Sequence, residues 1–295
     1  MPGQIKERAS WSAYPELPGI EFFSGCNICK RYDPHMHSCF AIGTVSAGSE
    51  HFWCGGAEYV AVPGSVEFIN PGEVHRGGPG QSGCWSYEML YVDVAAMQEI
   101  RDEVSGTTDA AIWFPNTVVS DHELAASIAA LPRILAAADS GIERQTRTME
   151  VLSAIIARHA TPRLALRGNE PRGVRLAKQY IEEHFAAACS LTELSEIANL
   201  SPFYFLRTFQ RSVGMPPHAY LRQVRTMHAK QLMETGIPIC DVAAQIGFAD
   251  QSHLTRQFSR ILGVTPGAYM RAIRFKTDSQ CVGTTHRDAS AKATN

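Results

Sequence analysis

The feature that most constrains the fold of this chain is a repeat within its last third. The segment LTELSEIANLSPFYFLRTFQRSVGMPPHAYLRQVR (191–225) resembles ICDVAAQIGFADQSHLTRQFSRILGVTPGAYMRAIR (239–274), and from Phe209 onward the two copies are offset by 49 residues. A repeat of this length indicates one structural unit that is used twice. The recurring residues are Phe209, Arg211, Gly214, Pro217, Ala219, Tyr220 and Arg222, matched by Phe258, Arg260, Gly263, Pro266, Ala268, Tyr269 and Arg271.

Each copy has the order of a helix-turn-helix unit. A short helix comes first, then a tight turn (NLS or GFAD), then a second helix that ends at a glycine. In such units the second helix enters the major groove of DNA. The segment 216–236 between the copies predicts one helix of roughly 28 Å at about 1.5 Å per residue. Successive major grooves lie about 34 Å apart, so one chain could place two helices in neighbouring grooves.

The second helix of each copy separates apolar residues from arginines. Phe209 and Phe258 fall on the side predicted to be buried, and Arg207 and Arg256 fall opposite them. Arginine can donate two hydrogen bonds to guanine, worth about 1–3 kcal/mol of discrimination, and its charge binds phosphate in any sequence. For one helix, a merely solvated face is the better interpretation, but the duplication favours DNA binding. The residues predicted to contact DNA are Phe203, Tyr204, Arg207, Arg211, Gln251, Ser252, His253, Arg256 and Arg260.

Charge is distributed unevenly along the chain. The net charge is only −2, but residues 1–171 hold 12 Lys/Arg against 20 Asp/Glu, a net −8, and residues 172–276 hold 13 against 7, a net +6. An acidic half joined to a basic half predicts that only the second half meets a polyanion.

The first half is typical of short strands followed by helices. Pro63-Gly64 and Pro71-Gly72 separate strand-like pieces, which predicts a small barrel or sandwich. Two Ala/Leu/Ile-rich helices follow at 121–139 and 142–160; their apolar stripe suits either a dimer contact or packing on the barrel. The predicted organisation is a sensor domain (1–160), a linker (161–171), a DNA-binding domain (172–276) and a disordered tail (277–295).

Composition narrows the class of protein. No apolar run approaches the roughly 18 residues of a membrane helix, and the N-terminus lacks the apolar core of a signal peptide. We therefore expect a cytoplasmic protein whose eight cysteines are reduced. Cys26 and Cys29 form a lone C-x-x-C without a second pair, which does not predict a zinc site.

The second half resembles the DNA-binding domain of the AraC/XylS family of bacterial transcription regulators. The resemblance rests on LSEIANLSPFYFLRTFQRSVG, YLRQVRTMHAKQLM and DVAAQIGFADQSHLTRQFSRILGVTPGAY, and it spans about 100 residues. It implies base contacts from Phe203, Leu206 and Arg207 in the first copy and from Gln251, Ser252, His253 and Arg256 in the second. Phe203 and Leu206 depart from the polar residues expected there, so base reading is better supported for the second copy.

The first half resembles the cupin-type sensor domain that precedes this DNA-binding domain in the family. PHMHSCFAIGTVSAG and PGSVEFINPGEVHRG carry the resemblance, which implies a barrel around a small-molecule pocket. Tyr87 is a further candidate for its lining, although core packing is the commoner role of such aromatics. We predict no cofactor; a metal site formed by the three histidines, with Glu73, is the alternative. The residues predicted to line the effector pocket are His35, His37, Trp53, His75 and Trp85.

Together these features predict an α+β two-domain protein. It has an N-terminal cupin-like β-barrel with helices and a C-terminal all-α domain with two helix-turn-helix units joined by a long helix. The predicted function is a ligand-responsive, sequence-specific transcription factor that binds promoter DNA and a small-molecule effector, forms a homodimer and could contact RNA polymerase. It is not expected to be an enzyme. The alternative is a cupin metalloenzyme with an accessory helical domain.

Overall fold

A β-rich N-terminal domain is followed by an all-helical C-terminal domain, as the sequence predicts. The computed structural model describes residues 6–105, 111–163 and 171–278. Within them, every helix is too short or too polar to cross a lipid bilayer. The strands are β1 (Arg8–Ala13), β2 (Ile20–Ile28), β3 (Phe40–Ala47), β4 (Glu50–Cys54), β5 (Ala57–Ala61), β6 (Ser65–Ile69), β7 (His75–Pro79), β8 (Trp85–Val92), β9 (Ala111–Trp113), β10 (Val118–Ser120) and β11 (Thr161–Arg163). The helices are α1 (Val94–Ser105), α2 (His122–Ala137), α3 (Gly141–His159), α4 (Arg172–Glu183), α5 (Leu191–Ile197), α6 (Pro202–Val213), α7 (Pro217–Glu234), α8 (Ile239–Gln245), α9 (Gln251–Leu262) and α10 (Pro266–Asp278).

The strands form a six-stranded sheet in the order β1-β2-β8-β3-β6-β10 and a three-stranded sheet in the order β5-β4-β7. All paired strands run antiparallel. Apolar residues from both sheets, among them Phe23, Phe52 and Met89, meet in one buried cluster. The two sheets therefore enclose a barrel-like interior.

The outer face of the larger sheet is covered by helices. Phe22, Ile42 and Leu90 point away from the barrel interior and are fully buried against the apolar stripes of α2 and α3. These stripes therefore pack on the barrel, one of the two uses that the sequence left open. Asp121 caps α2 by accepting a hydrogen bond from the amide of Leu124.

The structure shifts the predicted boundaries of the linker and of the tail by a few residues. Residues 161–163 form β11, which pairs with β9 of the sensor, and so they are not a free linker. The other linker residues, 164–170, lie outside the described residues. Helix α10 reaches Asp278, two residues into the predicted tail, because the repeat's last helix continues. Residues 279–295 lie outside the described residues.

The expectation of eight reduced cysteines is wrong for one pair. Cys29 and Cys84 form a disulfide although 55 positions separate them. The end of β2 and the turn before β8 lie side by side, which brings the two Cα atoms within 4.2 Å. Cys26 remains a free thiol, so the C-x-x-C does not act as a pair.

The helical domain docks directly on the barrel. The buried cluster inside the barrel continues into the second helix-turn-helix unit through residues such as Leu254, Phe258 and Ile261. The first unit has its own cluster, around Phe205 and Phe209. The interface between the domains is thus partly a shared core.

Candidate DNA-reading surface and effector cavity

The two helix-turn-helix units have the same internal hydrogen bonds. In the first turn the amide of Leu200 donates to the carbonyl of Ser195 at 3.0 Å, and in the second Phe248 donates to Ala243 at 3.2 Å. The second turn holds one residue more before its recognition helix begins. Both recognition helices, α6 and α9, end at a left-handed glycine, which a residue with a Cβ would adopt at a cost.

The arginines predicted to face outward do so. Arg207, Arg211, Arg256 and Arg260 are exposed, while Phe205, Phe209, Leu254 and Phe258 on the opposite sides are fully buried. Helical spacing therefore located the outer faces of both recognition helices correctly.

The outer face of α6 is unusually apolar. Phe203 is 71% exposed and Tyr204 is 60% exposed. The guanidinium of Arg207 lies 5.8 Å from the centroid of the Phe203 ring. Large exposed aromatics at the start of a recognition helix offer surface to a partner rather than to the core.

The outer face of α9 is polar. Gln251 and Ser252 are exposed, and Asp250 caps the helix by accepting from the amide of His253 at 2.7 Å. The ring of His253 is half-buried and packs edge-on against Phe248. The side chain of Arg260 lies 3.9 Å from the carboxylate of Asp33, and both are well exposed, so water and salt screen this pair.

The C-terminal end of α9 is held by the sensor. The indole nitrogen of Trp11 donates to the carbonyl of Leu262 at 3.2 Å, and the ammonium of Lys30 donates to the carbonyl of Gly263 at 2.9 Å. The last carbonyls of a helix have no partner within it, and a cation is favoured there. The sensor thus completes the end of the second recognition helix.

A buried polar cluster reinforces this contact. The ammonium of Lys230 on α7 lies 2.7 Å from the carboxylate of Glu21 on β2. The hydroxyl of Tyr269 on α10 lies between two carboxylates, 2.8 Å from Glu21 and 2.6 Å from Glu234, and shares its one hydrogen between them. Burial opposes the ammonium charge, but Glu21 beside it leaves the pKa of Lys230 above its usual value. Removing one member would strand a buried charge, so the cluster favours the docked arrangement.

A small cavity lies where the barrel meets the end of α9. Its free volume is about 50 Å³, room for a few water molecules or a hydrated ion. Ile261 and Leu262 form the wall contributed by the DNA-binding domain. The sensor residues that line it are Phe23, Tyr32, His35, His37, Glu50, Phe52, Glu67, Ile69, His75, Gly77, Tyr87, Met89 and Tyr91.

Three of the five predicted pocket residues line this cavity, together with Tyr87, and the two tryptophans do not. Trp85 is fully buried with its ring stacked on Tyr87, one layer behind the wall. Trp53 is half-buried on the other face of its strand, near Arg76 and Gly214. Successive side chains of a strand point to opposite faces, and composition alone does not say which face encloses the cavity.

The three histidines come together as the sequence motif suggests. Backbone hydrogen bonds of 2.9 Å pair His35 with His75, and His37 follows two residues later. Their ligating nitrogens all lie within 4.8 Å of one another. Burial lowers the pKa of all three imidazoles, and mutual repulsion lowers those of His37 and His75 further. The three rings are therefore neutral around pH 7.

A pair of carboxyl groups lines the same cavity, and sequence reasoning missed it. Glu67 is buried and Glu50 is half-buried, and the two groups interact. Burial raises the pKa of both, that of Glu67 to about 7, so the pair holds a proton. Added Cβ atoms at Gly77 and Gly43 would collide with these carboxyls. The available signal was Glu67 itself, a lone acidic residue in the strand SVEFI, all of whose residues are buried.

Tyrosine hydroxyls complete the polar lining. Tyr32 and Tyr87 share a hydrogen bond of 2.8 Å, and burial raises the pKa of both phenols. Tyr91 lines the cavity beside His37. The cavity thus offers neutral donors and acceptors between aromatic walls.

Comparison with known proteins identifies both halves of the chain. Residues 17–152 match the model of the AraC-like ligand-binding domain, and residues 194–272 match a helix-turn-helix domain. The chain belongs to the AraC/XylS family of transcription regulators. It is a ligand-responsive, sequence-specific DNA-binding regulator of transcription.

Related AraC/XylS proteins extend over most of the chain. An uncharacterised helix-turn-helix regulator of Bacillus subtilis, YbfI, is 28% identical over 80% of this chain and 86% of its own length. The transcriptional activator RhaS of Shigella flexneri is 22% identical over 81% and 91%. These relatives are transcription regulators, and they give no support to the alternative of a cupin metalloenzyme.

Solved structures of the same fold include ToxT of Vibrio cholerae. An apo ToxT variant is 14% identical to this chain, covers 90% of it and 97% of ToxT, and superposes with a TM-score of 0.50. ToxT bound to (E)-4-(8-methylnaphthalen-1-yl)but-3-enoic acid gives a TM-score of 0.50 at 9% identity, over 90% and 99% of the chains. This likeness shows that the two-domain fold is shared.

Proposed function

We propose that this regulator reads promoter DNA with the exposed faces of α6 and α9 and binds its effector in the cavity that Ile261 and Leu262 close. The observation that carries the proposal is the double role of α9. Its outer face presents Arg256, while its last turn forms a wall of the cavity. One rigid helix of 12 residues thus connects the effector to the DNA.

The volume of the cavity supports a coupling between effector and DNA. An effector larger than a few water molecules does not fit the present space of about 50 Å³. It would have to displace Ile261 and Leu262, and with them the end of α9. A ligand that prefers the displaced arrangement shifts the equilibrium between the two arrangements by its difference in affinity.

The DNA contacts divide by chemistry. Arg256, Gln251 and Ser252 carry the groups that read base edges, with Arg256 as the residue for a guanine. The apolar Phe203 suits a thymine methyl or the sugar edge. Arg211 and Arg260, further along each helix, suit phosphates, which position the protein without reading sequence.

We further propose that the regulator acts as a homodimer and contacts RNA polymerase at the promoter. An apolar groove between α2 and α3, lined by Ala130, Ile134 and Val151, supports the dimer. Ile142 at the start of α3 is 73% exposed. We infer that the protein acts in the cytoplasm, where promoter DNA lies.

The reading function is tested with DNA sites selected from a random pool by the full-length protein. We expect Arg256→Ala to lose about 5- to 150-fold in affinity, equivalent to about 1–3 kcal/mol, and to relax the preference at one base pair. Arg133→Ala is the matched control, because Arg133 is also exposed but lies on α2 of the sensor. Unchanged binding by Arg256→Ala would refute the assignment of α9 as a reading helix.

A map of bound sites across the source genome then tests the effector assignment. The genes beside those sites indicate candidate small molecules, and each is titrated against the protein–DNA complex. Linkage requires that an effector which changes DNA affinity is itself bound with changed affinity when DNA is present. A Leu262→Ala variant should bind DNA but respond less to the effector; a full response would place the effector elsewhere.

A further inference from the structure

The histidine cluster of the cavity has the arrangement of a metal site. His35, His37 and His75 approach from two chain segments, and their ligating nitrogens lie within 4.8 Å of one another. The ring centroids are 5.0, 4.2 and 5.1 Å apart. Small rotations about the side-chain bonds would bring three nitrogens to the 2.0–2.1 Å bond lengths that zinc has to imidazole.

Backbone carbonyls set the orientation of two of the rings. Nδ1 of His35 lies 2.7 Å from the carbonyl oxygen of Asp33, and Nδ1 of His75 lies 3.1 Å from that of Glu73. A carbonyl can only accept, so each Nδ1 carries the hydrogen and each Nε2 keeps its lone pair. This outer hydrogen bond is typical of histidines that bind metals, since it orients the ring and raises the basicity of the free nitrogen.

The free nitrogens have no protein donor. Among the described residues, none donates a hydrogen bond to Nε2 of His35 or His75, or to either nitrogen of His37. Two of these rings, His35 and His37, are almost completely buried. Acceptor nitrogens that lie within 4.8 Å of one another around one small cavity favour a positively charged occupant, because it satisfies all of them at once.

We propose that the sensor binds one divalent transition-metal ion through His35, His37 and His75. Three imidazoles suit zinc, iron, nickel or copper, whereas magnesium and calcium prefer oxygen ligands. Three protein ligands leave a coordination position open, which the cavity makes available to water or to an oxygen donor of the effector. Such a metal site differs from the expectation of no cofactor, and its three ligands do not depend on whether the cavity also binds the effector.

Metal binding can be measured without DNA and without knowing the effector. Full-length protein is stripped with a chelator, exchanged into metal-free buffer and titrated with Co²⁺, whose visible absorption reports coordination by protein. Zn²⁺ is then titrated in competition, and the bound metal is counted by elemental analysis. We expect one ion per chain and a rise in the midpoint of thermal unfolding when the metal is added.

Substitutions assign the ligands. His37→Gln and His75→Gln should each weaken the affinity for Zn²⁺ by at least about 100-fold, the upper end of what loss of an outer-shell partner alone costs. His51→Gln should leave it unchanged, because His51 is an exposed histidine on β4 outside the cavity lining. Cys26→Ser removes the free thiol next to the disulfide and should also have no effect.

X-ray absorption of the wild-type zinc complex tests the proposal without any variant. Scattering from three imidazoles and no sulfur neighbour would support it. Sulfur ligands, absence of stoichiometric metal, or unchanged affinity in folded His37→Gln and His75→Gln would overturn it. Each of these three outcomes would leave the proposed effector cavity and DNA-reading helices unaffected, because neither proposal requires the ion.

Discussion

The two helix-turn-helix units have the same fold, but they contact the sensor in different ways. The first unit has its own core and touches the barrel at one edge, where Val74 packs near Gly214. The second shares the core of the barrel and closes its cavity with Ile261 and Leu262. Duplication thus supplied two equivalent helices, of which only the second lines the cavity of the N-terminal domain.

Equivalent tyrosines show the same divergence. Tyr220 and Tyr269 occupy matching positions of the repeat and are both fully buried. The hydroxyl of Tyr220 donates to Glu182 within the DNA-binding domain. That of Tyr269 donates to Glu21 of the sensor. The tyrosine shared by the two copies therefore stabilises the DNA-binding domain itself in the first copy and the contact between the two domains in the second.

The largest expected effect is the loss of stability when one phenylalanine is removed from the core of either unit. Phe209→Ala and Phe258→Ala each remove a fully buried ring and should each lower the free energy of unfolding by about 3–5 kcal/mol. Hydrogen exchange measured by mass spectrometry should show faster exchange in β1 and β2 only for Phe258→Ala, because only that ring belongs to the shared core. If Phe209→Ala also made hydrogen exchange faster in β1 and β2, the difference between the two units would be contradicted.

Substituting the two matching tyrosines tests the contact between the domains with a smaller perturbation. Tyr220→Phe and Tyr269→Phe each lose hydrogen bonds to carboxylates, worth about 1.5–3 kcal/mol, and both should lower the midpoint of unfolding. Only Tyr269→Phe should loosen the docked domains, since it leaves Glu21 with fewer partners at the interface. Small-angle scattering should therefore show a larger radius of gyration for this variant alone. If both variants remain as compact as the wild type, Tyr269 does not hold the contact between the domains.

Features that depend on residues close together in the chain could be predicted from the sequence, and features that depend on distant residues could not. The repeat, the turns and the outward arginines depend on residues a few positions apart, and helical spacing located Arg207 and Arg256 correctly. The docking depends on distant pairs such as Trp11 with Leu262, which are 251 residues apart and have no local signature. The Cys29–Cys84 disulfide is of the same kind, because cysteine positions do not reveal connectivity.

The candidate site shows the same limit. His35, His37 and His75 were found because they occur in a recognisable motif, and the structure brings them together. Glu50 lies on a different strand from Glu67, and no spacing relates the two. The tryptophans were assigned by residue type alone, and the pleat of the strands placed Trp85 behind the cavity wall.

A smaller effect is expected from the outer faces of the reading helices. Phe203→Ala should lower DNA affinity by about 5-fold, or about 1 kcal/mol, without changing its dependence on salt, because an apolar contact releases no counterions. At the matching position of α9, Ser252→Ala should alter the preference for a base instead. Fluorescence anisotropy at several salt concentrations, on sites with thymine or uracil at the position facing α6, separates these outcomes. A change of salt slope in Phe203→Ala would mean that the helix had shifted on the phosphates.

The smallest expected effect concerns Arg211 and Arg260, the matching arginines near the ends of the two reading helices. Each phosphate contact contributes about 0.9 to the slope of the logarithm of affinity against that of salt concentration. Arg211 forms no ion pair among the described residues, so Arg211→Ala should lower the slope by about that amount. Arg260 lies 3.9 Å from Asp33, and this exposed pair is worth at most about 1 kcal/mol. Arg260→Ala should therefore lower the slope less, and Asp33→Asn should raise affinity slightly at low salt. Equal losses from both arginines, with no effect of Asp33→Asn, would show that the sensor leaves the phosphate contacts of the second unit untouched and acts only through the end of α9.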